Sequence, residues 1–515
     1  MKLIKAMATV AGLTGISRIF GFIRDVVTAA LMGAGPVADA FFVALKLPNL
    51  FRRITAEGAF SVSFVPIYAE KLKKEGDISA DAFAGNAFAM MLLFLVPFTL
   101  LAMLAMPWVI YAIAPGFHDG EVRYDLAVEL SRITFPYLLL MSLTSLLGGV
   151  MNAHDRFAPY AAAPIFFNLC MMIGIVVFTP VLETPGHALA WGVFAAGVVQ
   201  LIWMFACMRR ANISFNLRLP RFDADIKRLF ILMGPGILGA GVVHINLFAD
   251  LIIASWLPAG SISYLYYADR LNQLPLGMVG IAVGTALLPM LSKALAGGEK
   301  TEAHMLFNRA LEISLLLALP AAVALIVAAE PIIKVLFERG EFNATNTDMT
   351  AKVLMGYALG LPAYIAIKVF STAFWSRQDT MTPVKIAIFC TLLNIALALL
   401  LIGWLGVAGI ALATGIAGWV QFILMKRGLK DMETAQFDDR LKQFLPRVVL
   451  SALVMGGVLF GVNHVVAPMY DMSSLHKLCA LGVLVGSGFV SYILSVALSG
   501  ALNIHDIQRY LVKKK

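Results

Sequence analysis

Fourteen long runs of apolar residues fill this chain, separated by short segments that hold Pro, Gly or charged residues. Each run is long enough for a helix to cross the hydrocarbon core of a bilayer, which takes about 20 residues. The pattern therefore predicts an all-α polytopic membrane protein with 14 transmembrane helices. The predicted spans are 7–32, 37–68, 83–114, 124–151, 160–180, 187–208, 228–256, 262–294, 305–337, 350–375, 383–402, 405–425, 446–467 and 477–500.

Composition supports the membrane assignment. Of the 515 residues 60% are hydrophobic and only 14% are charged, which lies outside the range of soluble domains. The net charge of +9 arises from Lys and Arg in short loops, as topogenic signals do, so we expect no nucleic-acid partner. The four cysteines are far apart in the sequence, and neither they nor the histidines have the spacing of a metal site. We therefore expect no metal.

Basic residues of the loops are concentrated in alternate loops. Lys and Arg are concentrated in segments such as 71–74, 209–228 and 426–442, whereas the segments 32–36, 179–187 and 402–406 contain neither. Because basic loops stay on the cytoplasmic side of a membrane, both termini are predicted to be cytoplasmic, in agreement with an even number of spans.

The chain contains an internal repeat with an offset of 221 to 226 residues. Pro66 matches Pro289, Pro107 matches Pro331 and Asn168 matches Asn394. Six spans per repeat predict two pseudo-symmetric six-helix lobes around a central cavity, followed by two C-terminal helices. The predicted domains are an N-lobe at 1–220, a C-lobe at 221–440, and an appendage with a tail at 441–515.

The first two spans carry eight charged residues where apolar ones are expected. Each would cost roughly 2.5 to 3.5 kcal/mol at the centre of a bilayer if it faced lipid, so we expect them to line a hydrated cavity inside the protein. Five cations outnumber three acids, which favours an anionic cargo, although ion pairs that only stabilise the lobe are the alternative. The residues are Arg18, Arg24, Asp25, Asp39, Lys46, Arg52, Arg53 and Glu57.

Helical spacing groups several of these charges. Asp39, Lys46 and Arg53 are seven residues apart and Glu57 follows four later, which places them near one stripe of a helix. The planar guanidinium group pairs well with phosphate oxygens, so repeated arginine favours a phosphate or pyrophosphate over a carboxylate.

Polar residues in the second lobe suggest a matching half of the site. Asp269, Arg270, Asn272 and Gln273 fall within one helical turn, and Arg270 is expected to approach the same anion from the other side. Asp250 is a lone carboxylate in an apolar span. It is a candidate for binding a coupling proton or cation, the alternative being a pair with Arg270.

Asn394 and Thr414 offer neutral oxygens for a bound cation, the alternative for Asn394 being a hydrogen bond between helices. The sequence contains neither an ATP-binding GxxxxGK[ST] motif nor a nucleophile constellation, so we expect a secondary transporter and not an enzyme.

The segments SRIFGFIRD at 17–25, LPNLFRR at 47–53 and EGAF at 57–60 resemble the amino-terminal signature of the MurJ (MviN) family of bacterial lipid II flippases. This family belongs to the multidrug/oligosaccharidyl-lipid/polysaccharide exporter superfamily. The resemblance implies an inner-membrane protein that moves undecaprenyl-pyrophosphate disaccharide pentapeptide from the cytoplasmic to the periplasmic leaflet by alternating access.

The resemblance also implies residue roles. Arginines bind the headgroup and acids gate or pair with them, while Asp250 and Asn394 match a sodium site in some relatives whose second acid is Ala398 here. The candidate substrate-binding residues are Arg18, Arg24, Lys46, Asn49, Arg52, Arg53 and Arg270; the candidate gating or pairing residues are Asp25, Asp39, Glu57 and Asp269; the candidate coupling-ion residues are Asp250, Asn394 and Thr414.

The expected partners are lipid II, membrane lipids and cell-wall synthesis enzymes, and the expected state is a monomer. No cofactor is expected. Transport is expected to be driven by a coupling cation, Na⁺ or H⁺, or by the membrane potential. The alternative functions are a flippase for another polyprenyl-pyrophosphate glycan and a multidrug or ion antiporter of the same superfamily. A scaffold for cell-wall enzymes is a further alternative.

Overall fold

The computed structural model describes residues 2–52, 60–118, 120–213 and 216–501. Side chains are described within these ranges except at 2–7, 235–245, 247 and 278–286. Throughout the described ranges the regular structure is helical, without strands. The predicted all-helical class is therefore confirmed.

The chain divides into two compact units. The first comprises residues 1–263 with 339–342, and the second comprises 264–338 with 343–515. The domain boundaries expected from the repeat, at 220 and 440, remain a prediction. The helices that begin in the first unit are α1 (Lys2–Met32), α2 (Pro36–Phe51), α3 (Ser61–Glu75), α4 (Asp77–Leu104), α5 (Met106–Ile113), α6 (Val122–Thr134), α7 (Tyr137–Ala153), α8 (Ala158–Phe178), α9 (Pro185–Arg210), α10 (Ala224–Ser255) and α11 (Ser261–Ala296).

Most of α11 lies in the second unit, which continues with seven further α-helices and the short 3₁₀ helices Glu433–Ala435 and Ala467–Asp471. Its core packs Phe307, Phe370 and Phe374 against Leu441 and Val448. The helices are α12 (Lys300–Val327), α13 (Ala329–Phe337), α14 (Ala344–Ser376), α15 (Met381–Leu405), α16 (Val407–Gly428), α17 (Asp439–Val466) and α18 (Ser474–Leu498).

Within the described residues each predicted span is mainly helical, and ten helical segments there are long and apolar enough to cross a membrane. The coarser prediction of a multi-pass membrane protein is therefore supported. The remaining four predicted spans coincide with α1, with α2 and α3, with α10 and with α11. These helices carry the predicted charged residues that the structure describes.

Several predicted spans are broken into two helices, and proline explains why. Proline lacks the N–H that continues a helix and its ring restricts the preceding turn. Pro107 opens α5 after a break at Ala105, Pro136 separates α6 from α7, and Pro331 lies in the first turn of α13 after a break at Ala328. The breaks before α5 and α13 are thus one repeat apart.

Each unit contains, within itself, the same kind of polar connection, which the sequence analysis missed. In the first unit Asn86 of α4 donates to the Arg221 carbonyl at 2.9 Å and to Asp223 Oδ2 at 2.8 Å. In the second unit Asn308 of α12 donates to the Gln436 carbonyl at 2.9 Å. Asp223 and its counterpart in the second unit, Asp438, cap the N-termini of α10 and α17. Asn86 therefore attaches α4 to the segment just before α10, and Asn308 attaches α12 to the segment just before α17.

Glycines fix the end of α1. The Glu341 N–H donates to the Ala30 carbonyl at 2.9 Å, and a Cβ at Gly340 would lie 2.1 Å from the same oxygen. Gly33 has a φ of +66°, and a Cβ there would lie 2.6 Å from the Glu341 carbonyl oxygen. Only glycine fits both positions, so this crossing anchors the helix that carries Arg24.

Candidate functional site

Arg24 is the most enclosed of the described candidate cations. It is 5% exposed and Asp25 is 3% exposed. The guanidinium donates through both Nε and Nη2 to Asp25 Oδ1, at 3.1 and 2.6 Å, and through Nη1 to Asn168 Oδ1 at 2.9 Å. Phe167 lies beside it with its ring centroid 5.8 Å away. The predicted pairing of Arg24 with an acid is thus present, and a residue of α8 completes it.

Asn168 connects α1 to α8 at two levels. While its oxygen accepts from Arg24, its Nδ2 donates to the Ser17 carbonyl at 3.0 Å. Gly21 lies between these levels, and a Cβ there would lie 3.5 Å from Asn168 Nδ2. Arg18 is exposed on the same helix. Arg24 is therefore held in place by interhelical packing, while Arg18 is open to its surroundings.

Asp39 of α2 is completely buried and binds the start of α11. Its carboxylate accepts from the Gly260 N–H at 2.7 Å, from the Ser263 N–H at 2.8 Å and from Ser263 Oγ at 2.6 Å. These groups lie at a helix N-terminus, where unsatisfied N–H groups and the helix dipole favour negative charge. Asp39 therefore acts as a cap supplied by another helix, which spacing along α2 could not reveal.

Pro48 explains the local geometry of α2. Its missing N–H leaves the Ala44 carbonyl without its usual helical donor, and Thr134 Oγ1 of α6 donates to that oxygen at 3.1 Å. Asn49 Nδ2 donates to the Leu45 carbonyl at 2.9 Å. Asn49, a predicted substrate ligand, thus contacts its own helix in this conformation. Lys46 and Arg52, near Pro48 in the sequence, are half-buried. Arg53 and Glu57 lie outside the described residues.

Arg270 of the second unit is half-buried and stacks on its own helix. Its Nη2 donates to the Tyr266 hydroxyl at 2.9 Å, and its guanidinium carbon lies 4.7 Å from the Tyr266 ring centroid. Asp269 accepts from Gln273 one turn later. Tyr266 was missed by sequence reasoning, although an aromatic residue four positions before an arginine on a helix is the spacing that permits this stack.

The candidate coupling-ion residues lie in both units. Asp250 is half-buried in α10, whereas Asn394 and Ala398 are buried in α15 at 2% and 0% exposure. Thr414 Oγ1 donates to the Ile410 carbonyl of its own helix at 2.9 Å, and its carbonyl accepts from the Tyr364 hydroxyl at 2.5 Å. The sodium site remains a prediction.

Charged side chains join α3 to α10 at the ends of the predicted spans 37–68 and 228–256. Lys71 lies 2.9 Å from both Glu75 and Asp225, while Glu70 lies 2.8 Å from Lys74 and 2.9 Å from Arg228. Hydrogen bonds from Lys74 and Arg228 lower the pKa of Glu70 below its usual 4.5. Partial burial lowers the pKa of Lys71, but its two acidic partners outweigh this and raise the pKa overall.

Comparison with known proteins decides the family. Residues 28–481 match the sequence model of the lipid II flippase MurJ family. A probable lipid II flippase MurJ of Rhizobium tropici is 40% identical over 100% of this chain and 98% of its own length. This chain belongs to the MurJ family of lipid II flippases. The resemblance found in the sequence is confirmed.

Other MurJ relatives and solved structures agree with this placement. The lipid II flippase MurJ of Burkholderia cenocepacia is 35% identical over 89% of this chain and 90% of its own length. A lipid II flippase MurJ solved in an inward closed conformation shares the fold, with a TM-score of 0.78, 24% identity and coverage of 98% of this chain and 99% of that one. An inward-facing multidrug resistance transporter of the MATE family has a TM-score of 0.69 at 14% identity, covering 83% and 99%.

Proposed function

We propose that this chain carries lipid II from the cytoplasmic to the periplasmic leaflet of the inner membrane by alternating access. In this proposal two pseudo-symmetric six-helix lobes, with two further helices, make up 14 transmembrane spans with both termini in the cytoplasm. The observation that carries the proposal is the family match over residues 28–481. The charged residues of α1, α2 and α11 supply the chemistry that an anionic headgroup needs.

Arg24 is the proposed diphosphate ligand, with Asp25 as its resting partner. An unpaired charge inside the protein costs several kcal/mol, and the contact of Arg24 with Asp25 avoids that cost when no cargo is bound. Two oxygens of a diphosphate can accept two parallel bonds from a guanidinium, as the two oxygens of a carboxylate can. Binding of lipid II would therefore exchange one anion for another on Arg24, with Asn168 keeping the side chain in place.

Arg270 is the proposed second ligand, and the membrane potential is a proposed source of energy. Arg270 stacks on Tyr266 and its guanidinium is half-buried, so an anion can approach it with less desolvation than at the buried Arg24. Two negative charges moving outward across the whole field would gain about 4 to 5 kcal/mol per 100 mV. Asp250, Asn394 and Thr414 stay candidates for binding a coupling cation.

Depletion of the native flippase tests the proposal in cells. Complementing chains with Arg24→Ala or Arg270→Ala should leave lipid II on the cytoplasmic face of the membrane at equal protein levels. Lys352→Ala serves as the control, because Lys352 is exposed and pairs with Asp348 at 2.6 Å. Normal periplasmic exposure of lipid II with both arginine variants would contradict the assigned roles, while failure of the unaltered chain to complement would contradict the function itself.

A further inference from the structure

Three ligand-type side chains meet in the first unit, near the start of α9. Glu129 lies on α6, Glu183 in the turn between α8 and α9, and His187 in the first turn of α9. One ligand atom from each lies within 4.8 Å of the others. We propose that these residues form a binding site for a divalent transition-metal ion of the zinc class, which ties α6 to the start of α9.

The histidine carries the argument, because its free ring nitrogen faces the two acids. His187 is 5% exposed, and its Nε2 is buried without a hydrogen-bond partner among the described residues. That nitrogen lies 3.3 Å from Glu129 Oε1, close but without hydrogen-bond alignment. A buried polar atom without a partner is uncommon in proteins and calls for an explanation such as an ion.

The other ring nitrogen is already fixed as a metal-binding histidine requires. His187 Nδ1 lies 2.8 Å from Thr184 Oγ1, and Thr184 caps α9 by accepting from the His187 N–H at 3.4 Å. A ligating histidine usually donates its second N–H to an oxygen acceptor, which sets the tautomer and the ring orientation. In the tautomer whose proton is on Nδ1, that nitrogen donates to Thr184 Oγ1 and the lone pair of Nε2 is directed toward the glutamates.

The spacing also suits a metal. Ligands bound at 2.0–2.1 Å to a tetrahedral zinc lie about 3.3 Å apart, which is the separation of His187 Nε2 and Glu129 Oε1. Glu183 and Glu129 are exposed, so their side chains can turn to complete the site. Three protein ligands leave a fourth position for water.

The sequence analysis expected no metal and did not identify this site. Glu183 and His187 are four residues apart, but Glu129 lies 54 residues before Glu183, so no linear motif joins them. The loop 179–187 contains neither Lys nor Arg, which predicts that this end faces the periplasm. There the site would meet metal ions from outside the cytoplasm.

Zinc titration of the purified chain tests the proposal. The protein, without a histidine tag and stripped with a chelator, is titrated with Zn²⁺ by calorimetry, and its metal content is measured by mass spectrometry. We expect one zinc per chain, with affinity falling at least about tenfold in Glu183→Gln and in His187→Gln. His118→Gln is the matched control, because His118 is exposed beside Glu121 at 3.7 Å, and it should bind as the unaltered chain does.

The melting temperature measured without zinc serves as the control for correct folding. The Glu183→Gln change should leave it unaltered, because Glu183 is exposed. In the unaltered chain zinc should raise the melting temperature, because the ion binds the folded state. Absence of zinc binding, or equal affinity in the unaltered chain and in Glu183→Gln, would overturn the proposal.

Discussion

Arg24 and Arg270 are proposed to bind the same diphosphate, yet they are held in different ways. Arg24 is buried, ion-paired with Asp25 and bonded to Asn168 on another helix. Arg270 is half-buried and stacks on Tyr266 of its own helix. Buried interhelical charge contributes to both folding and function, whereas a stacked arginine can change partners at lower cost. In the proposed mechanism the first unit would therefore supply a rigid anion ligand and the second an adaptable one.

The largest expected effect is that of Arg24→Ala. Removing one partner of a buried ion pair strands the other, which costs about 3–5 kcal/mol. We expect a marked fall in the melting temperature in detergent, partly restored by the double change Arg24→Ala with Asp25→Ala. An unchanged melting temperature in the single variant would show that Asp25 does not depend on Arg24.

The Asp39→Asn change should have the next largest effect. An amide lacks the charge that strengthens the bonds from Gly260 and Ser263, and hydrogen bonds to charged groups are worth about 1.5–3 kcal/mol. Ser263→Ala removes one of these donors and should cost less, about 0.5–1.5 kcal/mol. Denaturation of both variants checks the order, and a larger loss for Ser263→Ala would refute the capping role.

Arg270→Ala should reduce stability less than Arg24→Ala while still impairing transport. The lost stack on Tyr266 is worth about 1 kcal/mol, and the half-buried position of Arg270 lets solvent screen the charges around it better than around the buried Arg24. Melting and lipid II transport are measured on the same preparation. A loss of stability equal to that of Arg24→Ala would remove the distinction between a rigid and an adaptable arginine.

The smallest effect concerns acid pH and the ion pairs of Glu70. Because the pKa of Glu70 is lowered in the folded chain, its contribution to stability is complete above about pH 4.5, the usual value, and is lost as pH falls through the lowered pKa. Glu70→Gln should abolish this small part of the acid dependence of melting. An identical pH profile in the variant would show that Glu70 contributes nothing.

The lengths of the apolar runs and the positions of Pro, Gly and charged residues between them predicted the helices well. Crossing a bilayer requires long apolar runs, and proline interrupts helices. Partners far apart in the sequence were harder to predict. Asn168 lies 144 residues from Arg24. The internal repeat matched it with Asn394, but residue spacing could not predict its contact with α1. The sequence analysis placed Asp39 on one helical stripe with Lys46. In the structure Asp39 caps α11 and accepts from Gly260, which lies 221 residues later in the chain.

Transport in reconstituted vesicles tests the central claim most directly, namely that the diphosphate takes the place of Asp25 on Arg24. Vesicles holding the unaltered chain or Arg24→Ala receive lipid II or an analogue with a single phosphate, and the flipping rates are compared at equal protein content. The account predicts that the unaltered chain prefers the diphosphate at least about tenfold, a difference of about 1.4 kcal/mol, and that Arg24→Ala loses this preference. An undiminished preference for the diphosphate in Arg24→Ala would contradict the account.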